Sequence, residues 1–137
     1  MLNILRLPPG SLVMCEIMHL FEHTGIYIGN GWIVELQGTG LVRAITPTQF
    51  LAGRTGEQIA VATGLHRRIF ASEHIAERAA QHIYSYQAYD LLRNNCHRFS
   101  VSCITGRFNQ VTSFFDLKQE LQQHWQSPIV WRPVRHW

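Results

Sequence analysis

Apolar residues alternate or run together in short stretches through the first half of the chain, and recur at helical spacing in the second half. Pro8-Pro9-Gly10 predicts a turn leading into a strand from Ser11 to Met18, a β-branched and apolar segment. Residues 23–37 predict a hairpin. Thr46, Pro47 and Gln49 occupy the N-cap, first-turn and capping-box positions of a helix of one or two turns, with Gly53 as its stop. Gln58 to Thr63 reads as a further strand, ended by Gly64. Ser72 opens a longer helix, with Glu73 at its positive end and Ile75, Ala79, Ile83 and Tyr86 along one face. A second helix begins at Asn94 or Asn95 and stops at Gly106. A third begins at Ser113, with Asp116 three residues on, and its stripe is Phe114, Leu117, Leu121 and Trp125 before Ser127-Pro128. Strands first and helices afterwards predict an α+β fold, and 137 residues without linkers or repeats predict one domain, 1–137.

The hairpin has two candidate registers. A two-residue turn at Asn30-Gly31 pairs Ile28 with Ile33 and mixes polar and apolar residues on both faces. A three-residue loop, Gly29-Asn30-Gly31, sorts them better. Thr24, Ile26, Ile28, Trp32, Val34 and Leu36 then share one face; His23, Gly25, Tyr27, Ile33, Glu35 and Gln37 share the other. In that register Glu35 lies opposite Gly25 and diagonal to His23, within reach of a long side chain. A polar outer face is routine in surface hairpins, so the pair alone does not mark a site.

The second constellation is Tyr89-Asp90-Leu91-Leu92-Arg93-Asn94-Asn95-Cys96-His97-Arg98-Phe99. An asparagine cap puts Cys96 in the first turn of its helix, where unpaired amides and the helix dipole favour a thiolate and a developing oxyanion. Free cysteines are more often small core residues, which is the reading for Cys15 and Cys103. His97 follows Cys96 directly and points elsewhere on a helix, so it receives a minor role. Eight histidines and three cysteines are ligands enough for a metal, yet no CxxC or HExxH spacing occurs, so neither metal nor cofactor is expected.

Composition narrows the class. The chain is 46% hydrophobic and 15% charged, as in ordinary globular proteins. Its net charge of +3 is dispersed, which argues against nucleic-acid binding. Three cysteines without framework spacing, the absence of a secretory pattern and of a long apolar run fit a cytoplasmic protein with free thiols.

Together the motifs resemble the lecithin:retinol acyltransferase-like family, a permuted branch of the NlpC-like, papain-related superfamily. Pro9-Gly10-Ser11-Leu12-Val13 resembles the family's first strand. His23 with Gly25-Ile26-Tyr27-Ile28-Gly29-Asn30-Gly31 resembles its histidine hairpin, and Asn95-Cys96-His97-Arg98-Phe99 its Asn-Cys-x-x-Phe nucleophile motif. The resemblance spans Pro9 to about Gly106. It implies a circularly permuted NlpC/papain-like fold, an antiparallel sheet with helices packed on it. It also implies an acyl-thioester formed on a cysteine nucleophile and passed to water or another acceptor. Carried over by residue, it gives Cys96 as nucleophile, His23 as base and Glu35 as orienter. Animal acyltransferases of the family have histidine at the position of Glu35, so their lipid specificity is not implied here.

Tyr27, on the face of His23, and Asn95 are candidate supporting residues. The expected partner is an acyl-bearing small molecule, lipid or peptide, with no transmembrane segment and at most peripheral lipid contact. Two rivals share the motifs: a cysteine peptidase or amidase, and an inactive interaction module. The latter would use Trp125, Trp131, Trp137, Arg132 and Arg135, which read otherwise as a C-terminal segment packed on the domain.

Overall fold

A computed structural model describes residues 1–17, 21–52, 58–90 and 95–137. Its strands are β1 (Leu2–Asn3), β2 (Ser11–Ile17), β3 (Phe21–Gly29), β4 (Trp32–Leu36), β5 (Val42–Ile45), β6 (Ile59–Thr63) and β7 (Val130–Arg135). Its helices are α1 (Pro47–Leu51), α2 (Glu73–Gln81), α3 (Cys96–Thr105) and α4 (Phe114–Trp125). The strands form one sheet in the order β1-β7-β6-β2-β3-β4-β5, antiparallel except where β1 runs parallel to β7. The fold is α+β, as the division of periodicities predicts.

Alternation along the strands sends side chains to two buried faces. Leu12, Ile26, Val34, Leu36 and Ala62 pack against Ile75 and Ala79 of α2, Phe99 and Cys103 of α3, and Leu117 and Leu121 of α4. On the opposite face Val13, Cys15, Tyr27, Ile33, Ile59, Val61 and Val134 pack with Phe50 of α1 and with Ile4 and Leu7. The face carrying His23 and Glu35 is therefore a core face, and the surface-hairpin reading does not hold.

Ile26 pairs with Val34 and Tyr27 with Ile33, the expected register, which continued one step sets Glu35 opposite Gly25. The loop is built differently from the three-residue form. Gly29 pairs with Trp32 across a two-residue turn in which Asn30 and Gly31 are both left-handed, with φ of 55° and 81°. A register shift between Tyr27 and Gly29 absorbs the extra residue, so turn plus bulge give the alignment that a longer loop would.

The caps at Thr46, Ser72, Asn95 and Ser113 all form, and Gly106 closes α3 with a φ of 70°. Met18, Gly53 and Asn94 lie outside the described residues. One expectation fails. α2 ends at Gln81 instead of running on through Ile83 and Tyr86. There the backbone leaves the helix to bond with the neighbouring loop, through Tyr84 N to Val42 O, Val42 N to Ser85 O and Gln87 N to Gly40 O. The C-terminal segment is packed on the domain, as the plainer reading of its Trp and Arg residues has it: β7 pairs with both β6 and β1, and Trp125 and Trp131 pack against the core. Trp137 remains exposed.

Candidate active site

The site begins with the cap of α3. Asn95 Oδ1 accepts from the amides of His97 and Arg98, both at 3.0 Å, and its Nδ2 donates to Thr112 O at 2.9 Å. The asparagine thus ties the helix start to the segment before α4, and Cys96 becomes the first helical residue. α3 meets the sheet at two successive residues of β3. Thr24 Oγ1 donates to Cys96 O at 3.4 Å and also lies 3.1 Å from His97 Nδ1 and 3.0 Å from Ser100 Oγ. His23 reaches the thiol of Cys96 itself.

Across the hairpin, Glu35 Oε1 is 2.7 Å from His23 Nε2, which leaves the other ring nitrogen for the thiol. All three residues are buried, at 5% exposure for His23, 0% for Glu35 and 6% for Cys96. Gly25 keeps the interior of the hairpin tight. A Cβ there would lie 2.9 Å from Ile33 Cγ2 and 2.9 Å from Val34 O, with the Phe50 ring at 3.2 Å. The space is filled by Ile33 and Phe50, whose ring also tilts against the His23 imidazole at 5.2 Å between centroids.

Burial opposes charge on both Cys96 and His23, and specific contacts overcome it. Desolvation would raise the Cys96 pKa, but hydrogen bonds from His23 and His97, and their charges, hold it well below the ordinary thiol value. Desolvation would likewise lower that of His23, but hydrogen bonds to Cys96 and Glu35, and their charges, hold it above its usual value. Both directions favour a thiolate–imidazolium pair. Tyr89, half-buried nearby, is pushed up by burial and by the negative charge at Cys96. Cys103, by contrast, is pushed up to about 12 by burial, with Arg78 acting only weakly against it. It behaves as the core residue the sequence suggests, and Cys15 is buried with its thiol 3.7 Å from Phe50 O.

Sequence reasoning passed over one residue around this core and gave another too small a part. Arg43 Nε donates to Glu35 Oε2 at 2.9 Å, from the position directly across β4 and β5. Recognising 42–45 as a strand was the signal that could have found it. His97 is buried between Thr24 and Phe114 and contributes to the Cys96 environment, a larger part than its position beside the cysteine suggested. Tyr27 shares the His23 face but its hydroxyl accepts from Gly31 N at 3.1 Å, at the turn, where it braces the hairpin. Among the described residues no group of three or more His, Cys, Asp or Glu is arranged to hold a metal, and no helix is long and apolar enough to cross a membrane.

The α+β fold thus sets a helix-start cysteine beside a strand-borne histidine–carboxylate pair. The chain matches the family model described as lecithin retinol acyltransferase over residues 6–109, most of its length, and it belongs to that family. No match is found among curated proteins. The matched span ends at Asn109, so α4 and β7 lie beyond it.

Proposed function

We propose that this protein is a cysteine-dependent acyl hydrolase or acyltransferase working through a thioester on Cys96. The observation that carries the reading is the buried chain of contacts from the Cys96 thiol through the His23 ring to Glu35, 2.7 Å from Nε2. His23 takes the thiol proton, and Glu35 fixes the tautomer and steadies the imidazolium. Arg43 holds the second carboxylate oxygen and helps keep Glu35 ionised. The thiolate attacks an ester carbonyl, and the amide of Cys96 is the helix-start donor placed for the oxyanion, since Asn95 occupies those of His97 and Arg98. The carbon–oxygen bond breaks as His23 gives its proton to the leaving alkoxide. His23 then deprotonates water or an acceptor hydroxyl, which attacks the thioester, releases the acyl group and regenerates the thiolate. A histidine strand preceding the cysteine helix reverses the papain order, in keeping with a permuted fold.

The test is incubation with p-nitrophenyl esters of increasing chain length, followed by mass spectrometry. The expected outcome is a burst of nitrophenol and an acyl adduct confined to Cys96. Cys96→Ala should abolish both. His23→Ala should slow turnover by roughly 10²–10⁴-fold, with a smaller loss for Glu35→Gln. Turnover that persists in Cys96→Ala would overturn the proposal.

A further inference from the structure

A groove of about 520 Å³ lies along α3, walled by α2 and the turn that follows α3, and Cys96 is not among its lining residues. Arg78, Arg98, Arg107 and His82 line it, with Phe99 and Phe108, and no acidic side chain does so among the described residues. The end of a helix would ordinarily repel an anion through its free carbonyls. Here Arg78 donates from Nε to Cys103 O at 2.7 Å and from Nη2 to Ile104 O at 3.0 Å, which covers them. Gly106 exposes the rest of that guanidinium: a Cβ at this position would sit 3.3 Å from Arg78 Cζ and 3.4 Å from Nη1. Arg98 is fixed through Nε to Val111 O at 3.1 Å, leaving its terminal nitrogens. Two guanidinium groups are therefore pre-oriented by backbone carbonyls, so little side-chain freedom is lost when they bind a ligand.

Helix capping and loop tethering account for Arg78 and Arg98 alone. They do not account for exposed Arg107 and Phe108 closing the same groove, or for His82 edge-on to Phe99 at a ring separation of 5.9 Å. We propose that this groove binds a small molecule with an anionic head and a flat apolar body. The head would lie among the arginines and the body against exposed Phe108. The volume is within the range of small-molecule sites. The inference is independent of the chemistry proposed at Cys96.

The test uses the full chain in 0.15 M salt, titrated with phenyl phosphate, inorganic phosphate and phenol and followed by calorimetry and amide chemical shifts. Phenyl phosphate should bind saturably and most tightly, with shifts centred on residues 78, 98 and 103–108. Arg107→Gln should weaken it by about tenfold, the scale of one charge-assisted hydrogen bond. Phe108→Ala should weaken phenyl phosphate while sparing inorganic phosphate; both residues are exposed, so neither change threatens the fold. Cys96→Ala should bind as wild type does, which separates this site from the proposed reaction. Absence of saturable binding, shifts centred elsewhere, or indifference to Arg107→Gln would overturn the proposal.

Discussion

Cys96 carries two imidazole neighbours in a pocket that would otherwise keep it protonated, and this sets the pH at which it reacts. Thiolate forms as pH rises through the lowered Cys96 pKa, so alkylation by iodoacetamide should have its inflection well below the ordinary value of 9.0 and fall away only at lower pH. Cys103, at about 12, should stay unmodified across the same range. Arg43 enters through Glu35. Without the guanidinium the buried carboxylate becomes less favourable as an anion, the imidazolium loses support, and the thiolate loses its counter-charge. Arg43→Gln should therefore move the inflection upward, and Arg43→Lys should recover part of the shift. An inflection unmoved in Arg43→Gln would show that Glu35 does not need its second partner. Position, not absolute rate, is the readout, because the thiol is only 6% exposed.

The grip of β3 on α3 is concentrated in Thr24, whose hydroxyl serves Cys96 O, His97 Nδ1 and Ser100 Oγ together. Thr24 and Ser100 are fully buried. Thr24→Val keeps the shape and removes the hydroxyl, stranding polar groups in a dry interface. Urea unfolding should register a loss of about 1–3 kcal/mol, the cost of leaving buried hydrogen-bonding groups unpaired. A stability equal to wild type would mean that water or a rotamer change replaces the contact. Because α3 also carries Cys96, the same variant should reduce the rate of Cys96 acylation.

The sheet is closed by its last strand. β7 lies between β1 and β6, so residues 130–135 are interior to the sheet although 126 residues or more separate them from β1. Ending the chain at Pro128 would expose the edge of β6 and uncover Ile59, Val61 and the Val134 site, all of which are buried. The shortened chain should lose its cooperative thermal transition by circular dichroism. A cooperative melt close to that of the full chain would assign β7 a peripheral role. The family match stops at Asn109, but the sheet does not.

Local chemistry was written legibly in the chain. Thr46, Ser72, Asn95, Ser113 and Gly106 announce helix ends because caps are contacts between residues two to four apart. The His23–Glu35 relation followed from strand alternation and one choice of register, and needed nothing beyond residues 23–37. Other features had no local signature. Pro133 and the charged and aromatic residues around it disguise β7, whose strand character comes from partners far away in sequence. Ile83 and Tyr86 kept helical spacing by coincidence, while backbone bonds to the 40–42 loop drew them out of α2. Sequence alone determined which residues are candidates for the chemistry and where the helices begin, since spacing and capping are short-range. Only the tertiary structure decided that the His23 face is buried, that Arg43 backs Glu35 and that His97 touches the thiol's surroundings. Those facts depend on which strand lies beside which, and on how α3 docks, and hydrogen bonding between distant segments sets both.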